Sequence, residues 1–363
     1  MIQPLTSLRF FFAFMVFLSH MDYSSVEKDS LGKPFNLFYF GEGYIGVSFF
    51  FILSGFILAY NYKQKLLHHI VTIKEFWISR FARIYPLHLL TLLLAIPLTI
   101  QFMFTTSRLY GILKIVFNIL LLQSFIPNAD FYFSLNALSW SLSCEFFFYL
   151  MFPFLIIFLF TKKAGLLAAL VSIILIPVGI YFCNDTWLHP VFYINPLSRL
   201  VDFVIGILLF ELFEKNFLRN IYIHPTSATL MEVSSIFVFI IFIYFKDFIP
   251  QGYRFSCYYW FPMVFIIYSF SRQNGLLSAL LSKKIFVVLG EISFGFYLIH
   301  LLCIKYILII HSKFPFIQNN YLLATFILAT AIMASYFSYI IIEKPANRFT
   351  KKILLNKPVL ISR

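Results

Sequence analysis

Charge is scarce in this sequence. Asp, Glu, Lys and Arg make up 12% of the 363 residues, about half the share found in an ordinary water-soluble domain. Hydrophobic residues reach 61% and aromatics 21%, with 50 Phe. A soluble fold of this length could not hide so much apolar surface, so the bilayer is its solvent. That excludes a soluble enzyme, a disordered scaffold and a small secreted domain. Cysteine is also rare: Cys144, Cys183, Cys257 and Cys303 are scattered, mostly within apolar runs, with no CxxC spacing. They read as small core residues, and no metal is expected. There is no phosphate-binding Gly-rich loop, GxSxG elbow, HExxH helix or cluster of carboxylates, which removes support for nucleotide hydrolysis, serine hydrolysis and zinc proteolysis. The first apolar run has neither a Lys-rich leader nor a small-residue cleavage site, so it does not read as a signal peptide.

What is present is a series of apolar segments long enough to cross the hydrocarbon layer. They fall near 5–21, 44–61, 84–104, 110–126, 138–160, 165–183, 197–213, 230–246, 257–271, 286–310 and 320–342. The net charge of +13 matches no nucleic-acid-binding signature and is better explained by retention of Lys and Arg on the cytoplasmic side. Lys63, Lys65, Lys74, Arg80 and Arg83 would lie inside, with Lys162, Lys163, Lys215, Arg219, Arg272, Lys283, Lys284 and the C-terminal residues. Eleven crossings would put the basic C-terminus outside. The short segment 110–126, which contains Lys114, is therefore expected to be re-entrant. The expected fold is an all-α integral membrane protein with about ten transmembrane helices, both termini cytoplasmic, and a bacterial inner-membrane location.

Polar residues inside such segments need a reason. Arg9 and His20 are eleven residues apart, about 1100° of helical rotation, and so share one face of a helix. Arg80 and Arg83, at i and i+3, suit phosphate with Lys74 nearby, or alternatively anchor the helix at lipid headgroups. Ser141 and Glu145 follow Trp140 at the head of an apolar run, where a carboxyl must pair, protonate or face a polar cavity. Glu291 precedes a stripe of Ser293, Tyr297 and His300, which faces a bundle interior or forms a hydrogen-bond seam. Arg199 and Asp202 read most simply as an ion pair, and Ser54-Gly55 as close helix packing.

These residues, in this order, resemble membrane-bound acyltransferase family 3, the group that includes bacterial O-antigen and exopolysaccharide O-acetyltransferases. The resemblance runs from about residue 3 to about residue 350. It rests on Arg9 with His20, Phe50-Phe51-Ile52-Leu53-Ser54-Gly55-Phe56, Arg80 and Arg83 followed by Tyr85-Pro86, Trp140 to Glu145, Gly290 to Phe294 continuing to His300, and Glu343-Lys344-Pro345. It implies a single transmembrane acyltransferase domain over 1–345, with a short basic cytoplasmic tail at 346–363. The implied reaction moves an acyl group, most simply acetyl, from cytoplasmic acyl-CoA to a glycan hydroxyl on the far side of the membrane. Arg80, Arg83, Lys74 and Tyr85 would hold acetyl-CoA, the only cofactor-like molecule implied. His20 would act as general base or as a transiently acylated nucleophile, assisted by Arg9, Glu145 and Glu291. Trp140, Ser141, Tyr297 and His300 would meet the acceptor, together with loop 22–43. A polysaccharide exporter or flippase, with His20 and the buried acids relaying protons, is the alternative from another class. A structural partner in an envelope-synthesis complex is a third.

Overall fold

The computed structural model describes residues 2–21, 40–104, 107–216 and 224–355. Loop 22–43, apart from its last four residues, and the 356–363 end of the tail lie outside them. Among the described residues every regular element is helical. That is what hydrocarbon imposes, because a helix satisfies its own backbone hydrogen bonds. The main helices are α1 (Gln3–His20), α2 (Gly46–Leu67), α3 (Ile73–Met103), α4 (Arg108–Ile119), α5 (Trp140–Thr161) and α6 (Lys163–Phe182). They continue with α7 (Pro196–Glu214), α8 (Pro225–Tyr244), α9 (Trp260–Ser271), α10 (Lys284–Lys313), α11 (Asn320–Ser338) and α12 (Lys344–Leu355).

Among the described residues seven spans are long and apolar enough to cross a membrane: Gly43–Leu67, Ile73–Gln101, Ala137–Thr161, Lys163–Phe182, Pro225–Tyr244, Lys284–Lys313 and Asn320–Thr350. The chain is a multi-pass membrane protein. Helices α1 and α7 fall outside that set because they carry Arg9 and His20, and Arg199, Asp202, Glu211 and Glu214. Helix α9 falls outside because it is short. Helix α3 begins at Ile73, well before the apolar run at 84, so Arg80 and Arg83 sit within a helix and not at its start. Its polar first turns contribute nothing to an apolar count, yet they extend the helix without a break.

The chain divides into two compact units. The first comprises Met1–Phe12, Ile45–Ile73 and Cys144–Glu291. Here α2 and α7 pack backbone to backbone. A Cβ on Gly55 would stand 2.0 Å from the Phe203 carbonyl oxygen, and one on Gly206 would stand 1.9 Å from that of Ile52. Only glycine permits this approach. Across the same face, buried Arg199 pairs with Asp202 at 2.7 Å. Its guanidinium also donates to Ser48 Oγ and the Phe255 carbonyl, both at 2.6 Å, while Trp260 Nε1 donates to Asp202 at 2.5 Å. A buried charge is tolerated when an opposite charge and several hydrogen bonds meet it.

The second unit comprises Ala13–Tyr44, Lys74–Ser143 and Ile292–Arg363. Its distinctive part is the stretch from α4 to α5. Helix α4 has 12 residues, about 18 Å of rise, and irregular chain separates it from α5. Polar side chains hold the last turn of α4 and the irregular chain that follows. His88 Nε2 donates to the Asn118 carbonyl at 2.8 Å, the Tyr85 hydroxyl to that of Ile119 at 3.2 Å, and Ser143 to that of Leu121 at 2.6 Å. Ser124 donates to the Trp140 carbonyl at 2.7 Å, and Asn136 Nδ2 to that of Leu298, on α10, at 3.0 Å. Non-helical backbone away from water is stable when protein satisfies it in this way.

Candidate active site

The second unit brings His20, Ser141, Tyr297 and His300 into one neighbourhood. On α1, His20 Nδ1 lies 2.8 Å from the Val16 carbonyl oxygen. On α10, His300 Nδ1 lies 2.9 Å from that of Phe296. A carbonyl only accepts, so both rings carry their proton on Nδ1; these tautomers are assigned from the acceptors. His300 Nε2 lies 3.3 Å from His20 Nδ1, and the ring centroids are 5.2 Å apart. His20 therefore shares its Nδ1–H between Val16 and His300, and its Nε2 holds the basic lone pair. His20 is half-buried, whereas His300 is 0% exposed.

Ser141 and Tyr297 follow on the same side of α10. The Ser141 hydroxyl stands 2.9 Å from the Tyr297 hydroxyl and 3.0 Å from the Leu138 carbonyl. The Tyr297 ring lies 6.2 Å from that of His300. Trp140 is buried at the head of α5. The polar stripe read from the sequence is thus a buried seam: Ser293, Tyr297 and His300 are all buried.

The basic residues of α3 also belong to this unit. Arg83 Nη1 lies 3.9 Å from Glu343 Oε2, and its guanidinium stacks 5.7 Å from the Phe294 ring. Arg80 donates from Nε to Ser79 Oγ at 3.3 Å and is half-buried, while Lys74 is exposed. Tyr85 stacks on Phe81 at 4.3 Å, with its hydroxyl committed to Ile119. Glu343 was not singled out by sequence reasoning, although the Glu-Lys-Pro element contained it. Its only signal was a carboxylate at the end of an apolar run, and the Arg that faces it lies 260 positions earlier.

Arg9, Glu145 and Glu291 belong to the first unit, and each is half-buried. Glu145 accepts from the Tyr149 hydroxyl and from Ser54 Oγ at 3.5 Å. This meets the requirement that a carboxyl entering an apolar run find partners, and it joins two of the sequence motifs. Gly290, next to Glu291, lies against α1, where a Cβ would stand 2.0 Å from the Thr6 carbonyl oxygen. Among the described residues no group of three His, Cys, Asp or Glu could hold a metal ion.

An imidazole with a fixed tautomer, a hydroxyl seam beside it and a guanidinium on a neighbouring helix suit group transfer to oxygen. The comparison with known families agrees. The family described as an acyltransferase domain matches residues 4–342, and the chain belongs to that family. Among curated proteins it is similar to acyltransferase MdmB of Streptomyces mycarofaciens, 29% identical over 331 residues, covering 84% of this chain and 79% of that one. It is also similar to O-acetyltransferase OatA of Staphylococcus aureus (strain NCTC 8325 / PS 47), 25% identical over 336 residues, covering 84% of this chain. The chain spans about half the length of OatA, 53%. No solved structure matches it significantly.

Proposed function

We propose that this chain transfers an acyl group, most simply acetyl, from cytoplasmic acyl-CoA to a hydroxyl of a cell-envelope glycan on the far side of the bacterial inner membrane. The O-antigen and exopolysaccharide classes fit the resemblance, and the name of OatA supports transfer to oxygen. The observation that carries the reading is the imidazole pair: a half-buried His20 whose Nδ1–H is engaged and whose Nε2 is left basic. In this reading Nε2 takes the proton of the acceptor hydroxyl or attacks the thioester itself. Arg80 and Arg83, with Lys74 nearby, meet the donor's phosphates, and Tyr85 shapes the helix face beside them. Trp140, Ser141 and Tyr297 contact the acceptor. Arg9, Glu145 and Glu291 are assigned to catalysis on their sequence motifs. Adding α1, α7 and α9 to the seven apolar spans gives the ten crossings of the proposed topology, with α4 re-entrant, both termini cytoplasmic, a single domain over 1–345 and a basic tail beyond.

The test is incubation of purified protein in proteoliposomes and of native membrane vesicles with labelled acetyl-CoA. Label is expected in the glycan fraction of the vesicles. His20→Ala, present at normal level, is expected to lose about 10²–10⁴ in rate. Transport of glycan without thioester consumption would replace this reading with the exporter.

A further inference from the structure

We propose that His300 is a positioning residue for His20: its Nε2 accepts the His20 Nδ1–H and stabilises the positive charge that forms on the His20 ring during transfer. This rests on the reading of His20 as the reacting group. The carbonyl of Phe296 holds the His300 proton on Nδ1, which turns the Nε2 lone pair toward His20 at 3.3 Å. The His300 ring is fixed by its neighbours, with Phe296 stacked at 5.7 Å and Phe17 edge-on at 5.8 Å. Exposure separates the two roles. The His300 ring is fully enclosed by protein, whereas that of His20 is half-buried. The Val16 carbonyl can fix the tautomer of His20, but α1 supplies both groups and cannot orient the ring against the rest of the unit. His300 can, because it comes from α10.

The chemistry balances in either role for His20. As a base, its Nε2 gains the acceptor's proton: the O–H bond breaks, an Nε2–H bond forms, and the ring becomes an imidazolium. The alkoxide attacks the thioester, the carbon–sulfur bond breaks, and the thiolate leaves with its electron pair and then takes the proton from Nε2. As a nucleophile, Nε2 binds the acyl carbon while the thiolate departs with its electron pair, and the ring again becomes cationic; the acceptor oxygen then attacks the acyl carbon, the carbon–Nε2 bond breaks back to the ring, and the acceptor's proton passes to the thiolate. In both cases Nδ1–H remains and donates more strongly to His300 Nε2, as a charged donor does. The logic is that of a third group orienting a catalytic histidine, here with a neutral imidazole as the acceptor.

The experiment compares His300→Leu, His300→Gln and His300→Asn in membrane vesicles from the producing cells, with their own glycans as acceptor and [¹⁴C]acetyl-CoA as donor. His300→Leu is expected to lower kcat about a hundredfold with KM for acetyl-CoA unchanged. His300→Gln puts an amide oxygen where Nε2 stood and is expected to recover most of that loss. His300→Asn, whose amide reaches only the Nδ1 position, is not. A packing role would treat the two amides alike, so equal activities for Gln and Asn overturn the proposal, as does an unimpaired Leu variant. If His300→Leu does not accumulate, the Gln and Asn pair decides alone. An active His20→Ala overturns the role of His20 itself. An inactive His20→Ala beside a fully active His300→Leu overturns only that of His300.

Discussion

On the proposed reading, Arg83 would both meet the donor and help to hold the fold. Its guanidinium is partly exposed, and it faces Glu343, whose side chain is 3% exposed. A 3.9 Å separation is long for a charge-assisted hydrogen bond, which leaves the guanidinium able to turn toward a phosphate. Such a contact contributes about 1.5–3 kcal/mol, or roughly ten- to a hundredfold in affinity. Arg83→Ala is therefore expected to raise the acetyl-CoA requirement by that factor, read as KM in membrane vesicles. A fall in thermal stability with no change in KM would make Arg83 a structural partner of Glu343 only. Glu145 presents a similar choice. Glu145→Gln keeps a carbonyl oxygen for Tyr149 and Ser54, so loss of activity with normal thermal stability would mark a role for its charge.

At the scale of elements, close backbone contact and buried polar ties do most of the holding. Gly206→Val would drive a side chain into the Ile52 carbonyl, and over-packing of this kind costs about 1–3 kcal/mol or more. The expected result is a clearly lower melting point for the detergent-solubilised protein. His88→Ala or Asn118→Ala would strip partners from the chain after α4, leaving buried groups unpaired at about 1–3 kcal/mol each. Much of this layer was legible in the sequence: most of the apolar runs lie within helices, although 110–126 outlasts α4, Ser54-Gly55 did mark close packing, and Arg199 and Asp202 do pair. The stretch after α4 was only half legible. Lys114 and the charge asymmetry argued against a full crossing at 110–126, but the ties that secure it come from Tyr85, His88 and Ser143, far away in sequence. Hydrogen bonding across such separations leaves no local pattern. The pairing of His20 with His300 escaped for the same reason, although each residue had been singled out separately.

For the whole molecule, the proposed topology makes a direct prediction. Lys74 and Lys351 should be cytoplasmic, so cysteines placed there in a cysteine-free background should resist an impermeant maleimide in intact cells and react in inside-out vesicles. Exposed aromatics bear on the same question. Tyr181, Phe182, Trp187, Tyr244, Phe245 and Phe248 cluster at the ends of α6 and α8, where aromatic rings settle at the membrane–water boundary. The topology places these ends together on the outer side. One further consequence follows from the 280 positions that separate the two paired histidines. Synthesis delivers α1 well before α10, so the helices between them are made and inserted before His20 meets His300. A ribosome stalled anywhere ahead of His300 leaves a bundle that lacks half of the pair. If the pair acts as proposed, chains that terminate ahead of His300 should be inert in the membrane.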